Sequence, residues 1–158
     1  MTKKIPLIFG CPSESFYAKF NAPRAFVAEL RPGLEGMKQV SGELLKKGVK
    51  PVVICDNMMA FCMERGLVSG VHIFSAQVRG SRALCRTGSL IAAICARHHG
   101  IPVVLHKTLK QPSAVSMSLL KIGGIKVASA KIKTYVPALE EIPLDLIDRT
   151  VEPFKKEG

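Results

Sequence analysis

A cluster of cationic and hydroxyl side chains between residues 77 and 89 has the chemistry of an anion-binding site. The segment 77–87 carries three arginines: Arg79, Arg82 and Arg86. The last of them is followed by Thr87, Gly88 and Ser89 and then by an apolar stretch typical of a buried helix. The free amides and the dipole of a helix N-terminus attract anions, and an arginine binds phosphate through two parallel hydrogen bonds. The pattern therefore predicts an anion cradle at the start of this helix.

Simpler interpretations of the same residues stay open. Thr87 or Ser89 is also a suitable helix cap, because a hydroxyl oxygen accepts a backbone amide. The arginines of the 77–87 segment need an anion, solvent or the acidic residues of a partner to balance their charge. A solvated surface loop would provide that balance without any ligand.

Polar side chains also follow two earlier strand-like segments. Asp56 and Asn57 come after a Val-rich run and before a helical pattern, so that Asp56 is either an acid or base or a helix cap. Arg31 follows the strand-like segment 25–30 and precedes a proline. It either reaches a bound phosphate or pairs with a surface carboxylate.

The elements that would position these residues alternate along the chain. Strands are predicted at 5–9, 25–30, 51–55, 71–76 and 103–105, with a brief helix at 13–20 and longer helical patterns starting near residues 34, 57 and 88. The remaining predictions are an exit loop at 77–87, helices at 114–121 and 144–151, and an extended segment at 125–136. This alternation indicates an α/β fold with a mostly parallel sheet, in one domain spanning residues 1–158.

Composition narrows the class of partner. The 158 residues carry a formal charge of +11, which favours anionic partners such as a phosphorylated ligand, nucleic acid or a membrane surface. The cations are dispersed and aromatic residues make up only 6%, so a dedicated nucleic-acid surface is not favoured. No apolar run approaches the ~20 residues of a membrane span.

The cysteine and histidine patterns do not indicate a metal site or a disulfide framework. The five cysteines form no C-x-x-C pair, and the adjacent His98 and His99 point in different directions on a helix. We therefore expect no metal and no cofactor, and a reducing, cytoplasmic location.

Several short motifs carry a resemblance to a known family. They are Glu29-Leu30-Arg31-Pro32 with Leu34 and Gly36, Cys55-Asp56-Asn57-Met58, and RHHGIPV at 97–103. Together they resemble the C-terminal Rossmann-like domain of the family that joins methylthioribose-1-phosphate isomerase, ribose-1,5-bisphosphate isomerase and the regulatory (α, β, δ) subunits of translation initiation factor 2B. The likeness covers residues 25–105, and residues 136–147 resemble the family's terminal Asn-Pro-x-Phe-Asp segment.

The resemblance implies a three-layer Rossmann-like fold, here without the family's N-terminal helical domain, and a homodimer or higher homo-oligomer. It places Cys11 near the position of the isomerases' catalytic cysteine, although a buried strand-end cysteine is the alternative. It places Gln77, within Ser75-Ala76-Gln77-Val78-Arg79, at the position of their catalytic aspartate. The segment 85–89 corresponds to a family motif, Asn-Lys-x-Gly-Thr, that helps to hold the sugar or phosphate.

Gln77 decides the predicted function. Isomerisation of a sugar phosphate needs a group that accepts and returns a proton, and an amide does not titrate for that purpose. We therefore expect a regulatory or ligand-binding protein of the initiation factor 2B type, which binds a phosphorylated metabolite or nucleotide near Arg31, Gln77, Arg86 and Gly88. One alternative is an isomerase that uses Cys11 with Asp56 as the carboxylate. A second is RNA or ribosome association through the basic surface.

Overall fold

The computed structural model describes residues 3–108 and 118–153. The main sheet contains β1 (Ile5–Phe9), β2 (Arg24–Ala28), β3 (Lys50–Ile54), β4 (Val68–Arg79), β5 (Arg82–Arg86), β6 (Val103–Lys107), β9 (Leu139–Pro143) and β10 (Arg149–Val151), and a separate hairpin contains β7 (Lys121–Ile122) and β8 (Ile125–Lys126). The helices are α1 (Glu14–Lys19), α2 (Ser41–Lys46), α3 (Met59–Glu64) and α4 (Ser89–His98). None of the helices in these two ranges is long and apolar enough to cross a membrane.

Six strands form a parallel sheet in the order β10-β6-β4-β1-β2-β3. The helices lie in the crossovers between consecutive parallel strands, as right-handed βαβ units require. β5 pairs antiparallel with the distal half of β4, and β9 pairs antiparallel with β5. This mostly parallel, Rossmann-like α/β architecture confirms the predicted fold class.

Apolar side chains on the two faces of the sheet pack against different helices. On one face, Ile8 and Val27 lie in a cluster with the aromatic residues of α1 and the buried residues of α2. On the other, Leu7, Ile73 and Leu105 lie in a larger cluster with α3 and α4. Successive residues of a strand point to opposite faces, which explains why the adjacent Leu7 and Ile8 belong to different clusters.

The turn after β2 is held close to the start of the α2 segment. A π-helical turn at Gly36–Val40 precedes α2, in agreement with the helix predicted from residue 34. A Cβ atom on Gly36 would lie 1.8 Å from the carbonyl oxygen of Ala28, so only glycine allows this approach. The end of β2 and the residues that follow it are thereby fixed at the edge of the sheet.

The predicted exit loop at 77–87 is wrong. β4 continues to Arg79 and turns into β5, so that the segment is a β-hairpin. Ala83 and Cys85 are fully buried while Leu84 between them is half-buried, which is the alternation of a strand with one face on a core. The polar residues at positions 77, 79, 81 and 82 made this segment resemble a loop, so the local sequence pattern did not predict its strand pairing.

Two predictions for the C-terminal third are also wrong. Residues 144–151 form a short 3-10 turn, Leu144–Leu146, followed by β10, which pairs with β6. The segment 125–136 is extended only at β8 and irregular thereafter. In the helix predicted at 114–121, residues 114–117 lie outside the described residues, and Lys121 begins β7. Partners distant in sequence decide these segments.

Candidate functional site

The candidate site lies where β1, β2 and β3 end. These parallel strands run in one direction, so the residues after them meet at the carboxyl edge of the sheet, where α/β proteins bind ligands. Cys11, Arg31 and Asp56 follow the three strands in turn. The end of β5 brings Arg86 to the same edge, and α4 begins beside it.

Asp56 shapes the turn after β2. Its two carboxylate oxygens accept the backbone N–H groups of Leu30 at 2.8 Å and Arg31 at 2.7 Å. Leu30 has a φ of 60°, a left-handed conformation that a leucine adopts only when the surrounding structure holds it there. The Asp56 side chain makes no capping bond to the helix that follows, so its predicted capping role is wrong. Asn57 is exposed in the 3-10 turn Asp56–Met58.

Arg31 pairs with a carboxylate of its own strand end. Its Nε lies 2.7 Å from Oε1 of Glu29, a buried residue, while the Arg31 side chain is 54% exposed. The structure thus places Arg31 in a carboxylate pair, although the partner is buried and not on the surface as expected.

Arg86 links β5 to the turn after β2. Its Nη2 donates to Glu35 Oε2 at 3.0 Å and lies 3.3 and 3.4 Å from the carbonyl oxygens of Leu30 and Arg31. Arg86 and Glu35 are both largely buried, at 17% and 24% side-chain exposure. This bond is therefore less screened by solvent than a surface pair. Glu35 partly neutralises the arginine predicted to bind phosphate.

The amides at the start of α4 do form an anion cradle, but a carboxylate of the chain occupies it. Oε1 of Glu140, in β9, accepts the backbone N–H groups of Gly88 at 2.7 Å and Leu90 at 2.8 Å. The helix dipole adds to this contact. Two neighbouring hydroxyls, Thr87 Oγ1 and Ser89 Oγ, are buried and have no hydrogen-bond partner within the described residues. Neither caps the helix.

Gly88 is required by the geometry of this cradle. Its φ is 104°, and a Cβ atom at this position would lie 2.4 Å from Cζ of Phe9. Glycine alone combines that backbone conformation with this close approach. Gly88 therefore aims its amide at Glu140 while α4 packs against β1.

Cys11 is an exposed residue two positions after the end of β1. Desolvation by surrounding protein atoms raises the pKa of its thiol, the Arg86 guanidinium lowers it, and the Glu35 carboxylate raises it further. The net direction is upward, so the thiol stays protonated at neutral pH. It is placed to donate a proton or a hydrogen bond rather than to act as a thiolate.

Gln77 and Arg79, the remaining predicted site residues, lie in the β4–β5 hairpin. Gln77 is half-buried within the β4–β5 hairpin, where it pairs with Leu84. Arg79 is exposed at the hairpin tip, opposite Arg82, whose Nε lies 3.9 Å from Glu141. Arg79 and Arg82 therefore face each other near the hairpin tip, whereas Arg86 lies at the other end of β5. In residues 3–108 and 118–153 no group of three His, Cys, Asp or Glu side chains is suited to hold a metal ion.

Sequence reasoning missed the acidic residues of the site. Glu29 contacts Arg31, two residues away in sequence, and Glu35 contacts Arg86, 51 residues away. Glu140 contacts the amides of Gly88 and Leu90, which are 52 and 50 residues away. The last two contacts depend on tertiary pairing, which no local pattern reveals. The Glu29-Leu30-Arg31 spacing is a local signal from which the first of these contacts could have been predicted.

The comparison with protein families identifies the chain. The model of the initiation factor 2 subunit family matches residues 14–151, and the chain belongs to this family.

Individual relatives are similar over most of the chain. The methylthioribose-1-phosphate isomerase of Carboxydothermus hydrogenoformans is 30% identical over 138 residues, which is 78% of this chain and 40% of that protein. The isomerase of the same name from Chloroflexus aurantiacus is 26% identical over 150 residues, or 86% of this chain and 43% of that protein. The chain thus spans less than half the length of these relatives.

Solved structures share the fold. The 5-methylthioribose 1-phosphate isomerase of Pyrococcus horikoshii OT3 superposes with a TM-score of 0.76 at 20% identity, covering 91% of this chain and 48% of that one. The delta subunit of translation initiation factor eIF-2B from A. fulgidus gives 0.71 at 23% identity, with 80% and 41% coverage. Both isomerases and initiation factor subunits therefore use the architecture found here.

Proposed function

We propose that this chain binds a phosphorylated small molecule at the carboxyl edge of the sheet and does not isomerise it. One observation carries the proposal: the carboxylates that surround this edge in the described residues all have intramolecular partners. Asp56 accepts two amides, Glu140 accepts two more, Glu35 pairs with Arg86, and Glu29 pairs with Arg31. With Gln77 at the position corresponding to the isomerases' aspartate, no free carboxylate is in place to shuttle the proton of an aldose–ketose rearrangement.

The contacts of Glu140 support the phosphate part of the proposal. Its oxygen lies 2.7 and 2.8 Å from two amides at a helix N-terminus, which is the geometry these groups offer to a phosphate oxygen. The unpartnered hydroxyls of Thr87 and Ser89 lie beside it, and each supplies a further hydrogen bond to a ligand. A phosphate that displaces Glu140 would gain these donors together with Arg86.

The test compares wild type with Glu140→Gln and Arg86→Lys in calorimetric titrations with ribose 1,5-bisphosphate and methylthioribose 1-phosphate. Glu140→Gln removes the competing charge, so we expect affinity to rise by about tenfold or more. Arg86→Lys removes the fork that binds phosphate and should weaken binding. Arg82→Lys, at the hairpin tip, is the matched control and should bind like wild type.

Two results would overturn the proposal. One is the absence of binding in both wild type and Glu140→Gln. The other is turnover of methylthioribose 1-phosphate that Cys11→Ser abolishes. The second result would establish the alternative function, a sugar-phosphate isomerase, which the exposed and protonated Cys11 thiol beside Arg86 favours.

A further inference from the structure

A cavity lies on the sheet face that carries α1, and the candidate site contributes no residue to it. Its volume is about 410 Å³, which is within the range of small-molecule sites. The short helix α1 forms one wall, and residues of β4, β6 and β10 form the floor. Nothing in the proposed function uses this cavity.

Two histidines on neighbouring strands form the centre of the floor. His72 Nδ1 and His106 Nε2 are 2.9 Å apart and share one hydrogen. The rings are held by aromatic packing: Phe16 lies edge-on to both, with centroids at 5.5 and 4.9 Å, and Phe74 stacks on His106 at 5.2 Å. The pair is therefore fixed in place before any ligand arrives.

The histidine pair offers one donor and one acceptor to a ligand. Burial lowers the pKa of His72 and of His106 to about 4, and the nearby Arg149 acts in the same direction, so both rings are neutral at pH 7. A neutral imidazole has one N–H and one lone pair. Because one nitrogen of each ring is used between the two, either tautomer leaves one free N–H and one free lone pair at the outer nitrogens.

Cationic side chains outnumber acidic ones in the lining. Lys19, Lys107 and Arg149 line the cavity against a single carboxylate, Glu152, which lies 2.5 Å from Lys107 Nζ. Arg149 makes no ion pair with any residue in 3–108 or 118–153. A cation without a counter-ion in a recess attracts an anion.

Part of the cavity lining is apolar and partly aromatic. Its residues are Pro6, Phe16, Phe20, Ala22 and Val151. Ring faces and edges of this kind favour a flat apolar group at 4.5–7 Å centroid distance. The cavity thus combines apolar lining residues, a fixed hydrogen-bonding pair and an arginine that has no ion pair among the described residues.

We propose that this cavity is a binding site for a small aromatic anion, a ring that carries a carboxylate or phosphate. The ring contacts Phe16 and Phe20, the anionic group pairs with Arg149, and the free N–H of the His72–His106 pair donates to it. Since the neutral pair can present its N–H at either end, it adapts to the orientation of the ligand.

The test uses benzoate as the probe, with acetate and benzyl alcohol as matched compounds that lack the ring or the charge. We expect benzoate to bind saturably at pH 7, to shift the imidazole NMR signals of His72 and His106, and to bind at least about tenfold more tightly than either matched compound. Arg149→Gln should weaken benzoate about tenfold. Arg82→Gln, an exposed arginine elsewhere in the sheet, should leave the affinity unchanged.

Because the Arg149→Gln variant could fail to fold, a second variant tests the same site. His106→Phe preserves a ring at this position but removes the hydrogen bond, and we expect it to weaken benzoate severalfold. The proposal fails if benzyl alcohol binds as well as benzoate, if Arg149→Gln and Arg82→Gln behave alike, or if saturating benzoate leaves both imidazole signals unmoved. None of these outcomes bears on the sugar-phosphate titrations, because the two sites share no residue.

Discussion

Individual carboxylates at the carboxyl edge of the sheet hold the backbone in place, a role that cannot be inferred from the residue type alone. Asp56 holds the backbone of Leu30 and Arg31, and Glu140 fills the amide cradle of α4. A hydrogen bond to a charged group contributes about 1.5–3 kcal/mol, so each of these carboxylates stabilises the edge appreciably. Because both carboxylates accept backbone amides, neither is a free base at this edge.

Gly88 is a position at which a single added methyl group should be costly. We expect Gly88→Ala to lower the free energy of unfolding by about 2–5 kcal/mol, because alanine disfavours the left-handed backbone and its Cβ would overlap the Phe9 ring. Gly66→Ala is the control, since Gly66 also has a positive φ but no neighbouring atom within 4 Å of a Cβ. It should cost about 1–2 kcal/mol. Urea unfolding of both variants measures the difference, and equal losses would contradict the steric argument.

Elements whose partners lie nearby in sequence were predictable, and elements fixed by distant partners were not. The β1 and β3 strands and the α4 helix agree with the predictions to within a few residues because their apolar periodicity is local. β10 looked helical because Pro143 suggested a helix start, yet its pairing with β6 makes it a strand. The same distinction holds for the residues of the candidate site. Local motifs indicated Arg31, Arg86 and Gly88, whereas Glu35 and Glu140 contact partners distant in sequence and were not predicted.

The β4–β5 hairpin contains a buried serine at an irregularity in its pairing, between Ser75 and Gln77. The Ser75 hydroxyl donates toward the carbonyl oxygens of Gln77 at 2.7 Å and Leu84 at 3.0 Å, and accepts the Gln77 N–H at 3.2 Å. It thereby satisfies backbone groups that the irregular ladder leaves without regular partners.

Ser75→Ala should therefore destabilise the hairpin. Loss of a buried hydroxyl that serves the backbone costs about 1–3 kcal/mol, and the Gln77 amide should exchange its hydrogen faster. Ser81→Ala, exposed at the hairpin tip, should change stability by less than about 0.5 kcal/mol. Hydrogen exchange followed by NMR reads out the Gln77 amide directly. If the Gln77 amide exchanges at the same rate in Ser75→Ala and in wild type, the Ser75 hydroxyl does not stabilise the irregular part of the hairpin.

At the scale of the whole molecule, the two faces and the edge of the sheet differ in character. Two ion pairs lie at the carboxyl edge, and the cavity lies on the α1 face. On the α3–α4 face, Phe61, Ile91 and Ile94 are each about half exposed. Apolar side chains grouped on adjacent helices supply the surface that a contact between copies requires. The homo-oligomer expected from the sequence stays a prediction, and this face is where we expect it to form.

The buried histidine pair makes the stability of the whole molecule depend on pH. The pKa of His72 and of His106 is about 4 in the folded protein, mainly through burial, whereas an unfolded histidine titrates near 6.5. Between these values the unfolded chain binds protons that the folded protein does not. The free energy of unfolding should therefore be fully retained above about pH 6.5 and fall as the pH drops toward 4.

Each of the two imidazoles contributes a slope of at most about 1.4 kcal/mol per pH unit in this window. The charged groups that face the pair are Arg149, Lys107, Lys19 and Glu152. A His72→Gln, His106→Gln double variant keeps all four of these groups and removes only the two imidazoles, so it isolates their effect on stability. Denaturant unfolding at pH 7.5 and pH 5.0 provides the measurement. The double variant should lose less stability over this interval than wild type, because it no longer carries groups that protonate only on unfolding. Equal losses in the two proteins would show that the pair is not held neutral by the fold.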